Sequence, residues 1–143
     1  MNDIIINDAK NYPDLFIWNG PLDAEFLEEW MEERDIQLPE DMAEFWKLTG
    51  GGNIFESEDL VGPLGAPEFG LDFDATNEWL RGAGMPDIYI VFCSGSFLGA
   101  IRTTDNRYVL LDNIMFDELG EYDSFDEWYQ NTVRKEYASQ YNL

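Results

Sequence analysis

The feature that most constrains the fold is a run of three apolar segments separated by two turns, in the second half of the chain. Residues 88–93, 97–103 and 108–112 are rich in β-branched and aromatic side chains, a composition typical of strands. Between them stand Ser94-Gly95-Ser96 and Asp105-Asn106, residue types that readily adopt the backbone of tight turns. Strands joined by such short turns pair antiparallel. The sequence therefore predicts a three-strand antiparallel meander.

Helical periodicity predicts two helices before the meander. Residues 22–34 place apolar side chains every three or four positions, with Asp23 as the N-cap. Residues 38–49 repeat the pattern. Pro39 suits the first helical position, and Gly50 can end the helix in the left-handed conformation.

Shorter elements are expected on either side of the meander. Residues 53–56 predict a short strand and residues 75–81 a short helix. Ser124 and Glu127 form a capping box, so a last helix begins there, and we expect it to end before residue 139. The apolar runs at the start of the chain and before the first helix carry no assignment.

The order of these elements defines the fold class. Residues 56–67 hold several glycines and prolines, which indicates a loop inside one domain rather than a linker. We predict a single α+β domain over residues 1–143. It has an antiparallel sheet, made of the three-strand meander plus one or more further strands, with helices packed on it.

The charge balance is the strongest indication of function. Thirty Asp and Glu face eight Lys and Arg, for a net charge of −22 and an isoelectric point near 4.1. Such a surface repels nucleic acid, which is bound through Lys and Arg, and it repels anionic membranes. It attracts basic proteins, although solubility alone also explains a high charge.

The residues that the chain lacks argue against catalysis and against cofactors. There is no histidine and only one cysteine, Cys93, so Ser–His and Cys–His nucleophile pairs and Cys/His zinc sites are excluded. Cys93 lies in an apolar run and is expected to be a buried, inert thiol. We therefore predict no enzyme activity, no metal and no cofactor.

Two chemical alternatives stay open. A pair of carboxylates can act as acid and base in glycosidases, and thirty acids offer many pairs. Residues 72–77 resemble the start of a calcium loop, but Asn77 stands in place of glycine and Ala83 in place of the final glutamate. Helix capping explains Asp72 as well. Four of the five tryptophans stand at spacings typical of a core, namely Trp30, Trp46, Trp79 and Trp128.

The expected location is the cytoplasm. The first residues lack the basic segment and the long apolar run of a signal peptide, and no run of about 18 apolar residues is present. A single cysteine also fits a reducing compartment.

The candidate binding residues are acidic side chains. The first helix carries Glu28, Glu29, Glu32, Glu33 and Asp35. Acids late in a helix oppose its dipole, so their presence there favours a role in binding, while a solvated helix face is the alternative. A second acidic group follows at Glu56, Glu58 and Asp59.

The order of motifs resembles the SUKH superfamily, bacterial immunity proteins related to a fungal cell-wall synthesis regulator. The resemblance rests on the Leu-Pro helix at residues 38–46, the glycine stop at 50–52, the meander segment 90–112 and the closing Ser-Phe-Asp-Glu-Trp at 124–128. It covers residues 38–129 best.

The resemblance implies a non-catalytic protein that binds and neutralises a cognate toxin of a contact-dependent or polymorphic system. A nuclease is a frequent toxin in such systems, and its nucleic-acid surface is basic, which agrees with the charge of this chain. We expect a basic toxin as partner, no nucleic acid, no membrane, and a monomer. The alternative is a regulatory or scaffolding module that binds a housekeeping protein.

Overall fold

The computed structural model describes residues 3–64 and 72–143. Its helices are α1 Asp3–Asn11, α2 Ala24–Arg34, α3 Glu40–Thr49, α4 Phe73–Gly82, α5 Phe125–Asn131 and α6 Val133–Tyr141. Its strands are β1 Phe16–Trp18, β2 Gly52–Ile54, β3 Glu58–Leu60, β4 Tyr89–Ser94, β5 Leu98–Arg102, β6 Arg107–Leu111 and β7 Glu118–Tyr122. The α+β prediction is confirmed.

All seven strands form one antiparallel sheet in which spatial order follows chain order. The predicted meander is its centre, with Ile90 opposite Ile101 and Ile101 opposite Tyr108. Three short strands precede the meander and one follows it, and these are the further strands that the prediction included. Each added strand pairs with its neighbour in strand order, although α2 and α3 lie between β1 and β2, and α4 lies between β3 and β4.

The two unassigned apolar runs become the first helix and the first edge strand. Ile5 is fully buried on α1, and Phe16 of β1 pairs with Ile54 of β2. A strand of three residues shows too little alternation for a periodicity argument to detect it.

Helices α1, α2, α3, α5 and α6 contribute to the larger hydrophobic core, which lies on one face of the sheet. Aromatic rings fill much of it: Phe92 lies 4.6 Å from Trp128, and Phe45 stacks 4.7 Å from Phe125. On the other face a smaller cluster joins Leu80 of α4 to strand residues such as Val109. The sheet is therefore covered, in part, on both faces.

Three of the four tryptophans singled out as core residues lie in the core, and Trp79 does not. Trp30, Trp46 and Trp128 are buried, whereas Trp79 on α4 is 69% exposed. The expectation for Trp79 is wrong because α4 turns a different side toward the sheet, with Asn77 and Leu80 buried.

Asn77 completes the sheet where β3 is too short to do so. Its side-chain amide donates to the carbonyl of Val91 over 3.0 Å, and its carbonyl accepts the Val91 N–H over 2.7 Å. Strand β3 pairs only with Cys93 and Ser94 of β4. The buried Asn77 side chain therefore supplies the hydrogen bonds that the missing strand residues would have made.

The helix ends follow the predicted caps in part. Pro39 precedes α3, and Gly50 ends it in the left-handed conformation, with φ of 72°. Ser124 Oγ accepts the Glu127 N–H over 3.1 Å, which confirms the cap of α5. The predicted end of the last helix is wrong. The helix is interrupted at Thr132, and a further helix, α6, continues to Tyr141.

Within residues 3–64 and 72–143, no helix combines the length and the apolar character that crossing a bilayer requires.

Asp41 ties three elements together. Its carboxylate accepts the hydroxyl of Tyr108 on β6, the N–H of Phe125 at the start of α5 over 2.8 Å, and the N–H of Met42 over 3.0 Å. Burial and the nearby Asp41 carboxylate raise the pKa of Tyr108, so the phenol stays the donor. Asp41 therefore fixes α3 against the sheet and α5.

We expect Asp41→Ala to lower the free energy of unfolding by about 3 kcal/mol, because it leaves the Tyr108 hydroxyl and the Phe125 N–H without an acceptor. Urea denaturation followed by tryptophan fluorescence measures this. Asp14→Ala removes the same charge at an exposed position and should change stability by less than about 0.5 kcal/mol. Equal effects of the two substitutions would contradict this role for Asp41.

Candidate partner-binding surface

The predicted acidic residues of the first helix all lie on the surface. Glu28, Glu29, Glu32 and Glu33 are exposed on α2, and Asp35 is exposed at its C-cap with a left-handed backbone, φ 51°. Of these five carboxylates only that of Glu33 lies within 4.0 Å of a basic group among the described residues, at 3.5 Å from Arg34. We call these five residues the α2 acidic surface.

Arg34, the one basic residue of α2, is directed toward Asp74. Its guanidinium makes a bidentate pair with Asp74 of α4, with a shortest distance of 2.6 Å, and lies 4.3 Å above the Trp30 ring. The hydrogen bonds from Arg34 hold the pKa of Asp74 below its ordinary value. This pairing leaves the α2 acidic surface with little compensating positive charge.

A groove runs beside the α2 acidic surface, between the end of α2 and the turn that joins β5 to β6. Its volume is about 450 Å³, and it combines acidic and apolar side chains. The apolar ones are Met31, Ile36 and Leu38, and the acidic ones are Glu28, Glu32 and Asp35. Apolar contacts at the centre of an interface supply binding energy, while charges at its rim steer association.

The second predicted acidic group does not join this surface. Helix α2 faces α3 and α4 through Trp30 and Arg34, whereas Glu58 contacts Tyr137 of α6. Glu56 is exposed in the turn before β3 with φ of 67°, and Asp59 is half-buried and accepts from the Asn53 side chain over 3.0 Å. The eight predicted residues therefore belong to two separate places.

Glu58 differs from the other seven because its side chain points inward. The residue is 2% exposed. Its carboxylate accepts the Ser96 N–H over 3.1 Å and the Tyr137 hydroxyl over 3.3 Å. A Cβ atom on Gly95 would lie 1.1 Å from Glu58 Oε2, so glycine at this turn is what makes room for the carboxylate.

The environment of Glu58 raises its pKa. Burial is the largest cause and disfavours the charged carboxylate, while the hydrogen bonds from Ser96 and Tyr137 act in the opposite direction. The neighbouring charges of Glu136 and Asp59 raise the pKa further. A buried carboxylate with acidic neighbours costs stability at neutral pH.

The residues with candidate chemistry elsewhere have structural roles. Cys93 is buried, and burial raises the pKa of its thiol well above its ordinary value. Asp72 accepts the Ala75 N–H over 2.8 Å as the N-cap of α4. Among residues 3–64 and 72–143, no three Cys, Asp or Glu side chains gather closely enough to hold a metal ion.

We expect the free energy of unfolding of Glu58→Gln to be at least as large as that of the wild type at about pH 7. Folding raises the pKa of Glu58, so the protonated carboxyl stabilises the folded state. This stabilisation is complete below the ordinary pKa of 4.5 and is lost as pH rises through the raised pKa. The advantage of Glu58→Gln should therefore vanish in acid. Urea denaturation at a series of pH values measures it.

Glu56→Gln is the matched control, since it removes the same charge from an exposed position two residues away. Its stability should track the wild type across the pH series more closely than that of Glu58→Gln does. A Glu58→Gln variant that is less stable than the wild type at neutral pH would show that the charged carboxylate favours folding.

The comparison with known proteins agrees with the sequence resemblance. A search among curated proteins finds no significant match. A sequence model of the SMI1/KNR4 family (SUKH-1) matches residues 21–131, which include α2, α3, the sheet from β2 to β7 and α5. Because the match spans more than half of the 143 residues, the chain belongs to the SMI1/KNR4 family (SUKH-1).

Proposed function

We propose that this chain is an immunity protein that binds and neutralises a cognate toxin through the α2 acidic surface. The observation that carries the proposal is a set of five exposed carboxylates, with almost no counter-charge, beside a groove that apolar side chains help to line. Membership of the family is consistent with an immunity role. A contact-dependent or polymorphic toxin system would supply the partner.

Electrostatics support a basic partner. The net charge of −22 gives the whole molecule a negative potential, which accelerates encounter with a positively charged protein. A nuclease toxin fits this requirement, because the surface that holds its nucleic acid is basic. Covering that surface would block the substrate without any chemistry by the inhibitor.

The arrangement of α2 also costs stability, which favours a role in binding. Glu25 and Glu29, Glu28 and Glu32, and Glu29 and Glu33 are like-charged pairs four residues apart, and such pairs repel on a helix. Glu32, Glu33 and Asp35 also stand at the negative end of the helix dipole. A helix shaped by stability alone would carry basic residues there.

A regulatory or scaffolding module that binds a housekeeping protein is the alternative. Such a module would bind its partner through the same groove and, like an immunity protein, would need no catalytic groups. The partner distinguishes the two: an immunity protein rescues cells from the toxin encoded next to it, whereas a scaffolding module has no toxin to neutralise.

We expect reversal of three groove acids, Glu28→Lys, Glu32→Lys and Asp35→Lys together, to slow association with the neighbouring toxin domain by about tenfold or more, because rim charges act mainly on association. Stopped-flow fluorescence measures the rate, and co-expression measures loss of protection.

The matched control reverses three exposed acids that lie elsewhere, Asp14, Asp87 and Asp117. It changes the net charge by the same amount, so any difference between the variants reports position rather than total charge. Equal rates and equal protection for the two triple variants would refute the assignment to α2.

A separate stability measurement tests the cost of the acidic helix. Glu29→Lys replaces two repulsive pairs by two attractive ones, with Glu25 and Glu33, and should raise the free energy of unfolding by about 0.5–1 kcal/mol. Urea denaturation beside Asp14→Lys, which gives the same change in charge off the helix, isolates the helical contribution. An increase no larger than that of the control would contradict it.

A further inference from the structure

A second concave site lies away from the α2 acidic surface, where the sheet meets the junction of α5 and α6. Its volume is about 380 Å³, within the range of small-ligand pockets. Most of its wall is apolar, formed by Cys93, Phe97, Leu110, Trp128 and Val133. None of its residues belongs to α2 or to the groove beside it.

Gly99 keeps the floor of this pocket flat. A Cβ atom at Gly99 would lie 2.4 Å from Cζ2 of Trp128 and 3.0 Å from Cβ of Cys93. Without it, the fully buried Trp128 ring packs directly on the strand. The Trp128 ring and the backbone of β5 therefore lie directly beneath the pocket.

Two carboxylates line this pocket, those of Glu58 and Glu136, and of the two only Glu58 is buried. No lysine or arginine nitrogen among the described residues lies within 4.0 Å of it, and its charged neighbours in space include Glu136 and Asp59. Lys135 is exposed at the rim and forms no ion pair within the described residues. The site thus holds a desolvated negative charge without a counter-ion of its own.

We propose that this pocket binds an organic monocation, an ammonium or guanidinium group on an apolar stem. The cationic head pairs with Glu58, and the stem lies on Phe97, Leu110 and Val133. An ion pair that closes over a buried carboxylate is charge-assisted on both sides.

The chemistry of the wall selects this class of ligand. An anion would meet two carboxylates, Glu58 and Glu136, against the single ammonium of Lys135, and a neutral apolar ligand would leave the Glu58 carboxylate without an ionic partner. A divalent metal ion needs several oxygen ligands, and Glu58 is the only buried carboxylate in the pocket wall. The inference does not depend on the proposed toxin-binding role, because the two sites share no residue.

A purely structural role for Glu58 is the competing explanation. Its bond to the Ser96 N–H joins β3 to the β4–β5 turn, and a glutamine side-chain carbonyl accepts the same bond. Ligand binding by the wild type and by the Glu58→Gln variant distinguishes the two roles. A structural role predicts no ligand at all, whereas the proposed site predicts a ligand that the variant loses.

Isothermal titration calorimetry with phenethylamine tests the proposal, with 3-phenyl-1-propanol as a neutral probe of similar shape. We expect the amine to bind with a Kd of about 1 mM or lower, a modest efficiency for a ligand of about nine heavy atoms. The alcohol should bind at least about tenfold more weakly, since it lacks the charge-assisted pair.

Two variants test whether the amine binds in this pocket. Glu58→Gln should weaken binding of the amine by about tenfold or more, and Glu56→Gln, with the same change in net charge, should change it by less than about twofold. Equal binding by the Glu58→Gln variant, or by the alcohol and the amine, would overturn the proposal.

A measurement on the wild type needs no variant. Carbon-13 NMR titration of the Glu58 carboxyl reports its pKa in the presence of the groups that face it, which are Tyr137, Cys93, Asp59, Glu136 and Lys135. A bound cation favours the charged carboxylate, so the amine should lower this pKa. No change at saturating amine would also overturn the proposal.

A second probe distinguishes the source of the cation. Nα-acetyl-lysine methylamide carries the side chain that a protein partner would insert. Tighter binding of this probe than of phenethylamine would assign the pocket to a lysine of a partner, and the reverse order would assign it to a free amine. Failure of both probes to bind would refute the site.

Discussion

The packing of α5 against the central strands is the interaction on which the rest of the structure depends. Phe125 and Trp128 enter the core at the cap of α5 and meet Phe92 of β4, while Phe125 stacks on Phe45 of α3. Each such aromatic pair contributes about 0.5–1.5 kcal/mol beyond the area it buries. Asp41 fixes the polar side of the same contact. This packing holds α3 against the sheet, and Trp46 of α3 in turn contacts Trp30 of α2.

Two parts of this fold carry negative charge with little or no positive charge to balance it. Five acids on α2 and at its C-cap are exposed, and Arg34, the one basic residue of the helix, is paired with Asp74. Near α6, Glu58 is buried among acidic neighbours. Neither arrangement serves stability, since like charges repel and a buried carboxylate is poorly solvated. Arrangements of charge that lower stability in this way are typical of functional positions.

The sequence was sufficient for the long elements and insufficient for the short ones. β4, β5, β6, α2 and α3 have enough residues to show their periodicity, whereas β1, β2 and β3 have three residues each, and of these only β2 overlaps a predicted strand, residues 53–56. The exposed acids of α2 followed from helical spacing. The burial of Glu58 did not, because it depends on Gly95 and Ser96, more than thirty residues away. The exposure of Trp79 likewise depends on how α4 sits beside β4, which helical spacing does not reveal.

The proposed function rests on a negative surface that attracts a positively charged protein partner. The ionic-strength dependence of the association rate between the unmodified chain and the proposed toxin partner tests this attraction directly. We predict an association rate that falls steeply as salt rises from low to physiological concentration, with a dissociation rate that changes much less. An association rate independent of salt would contradict the account, because the partner would then be recognised through an uncharged surface.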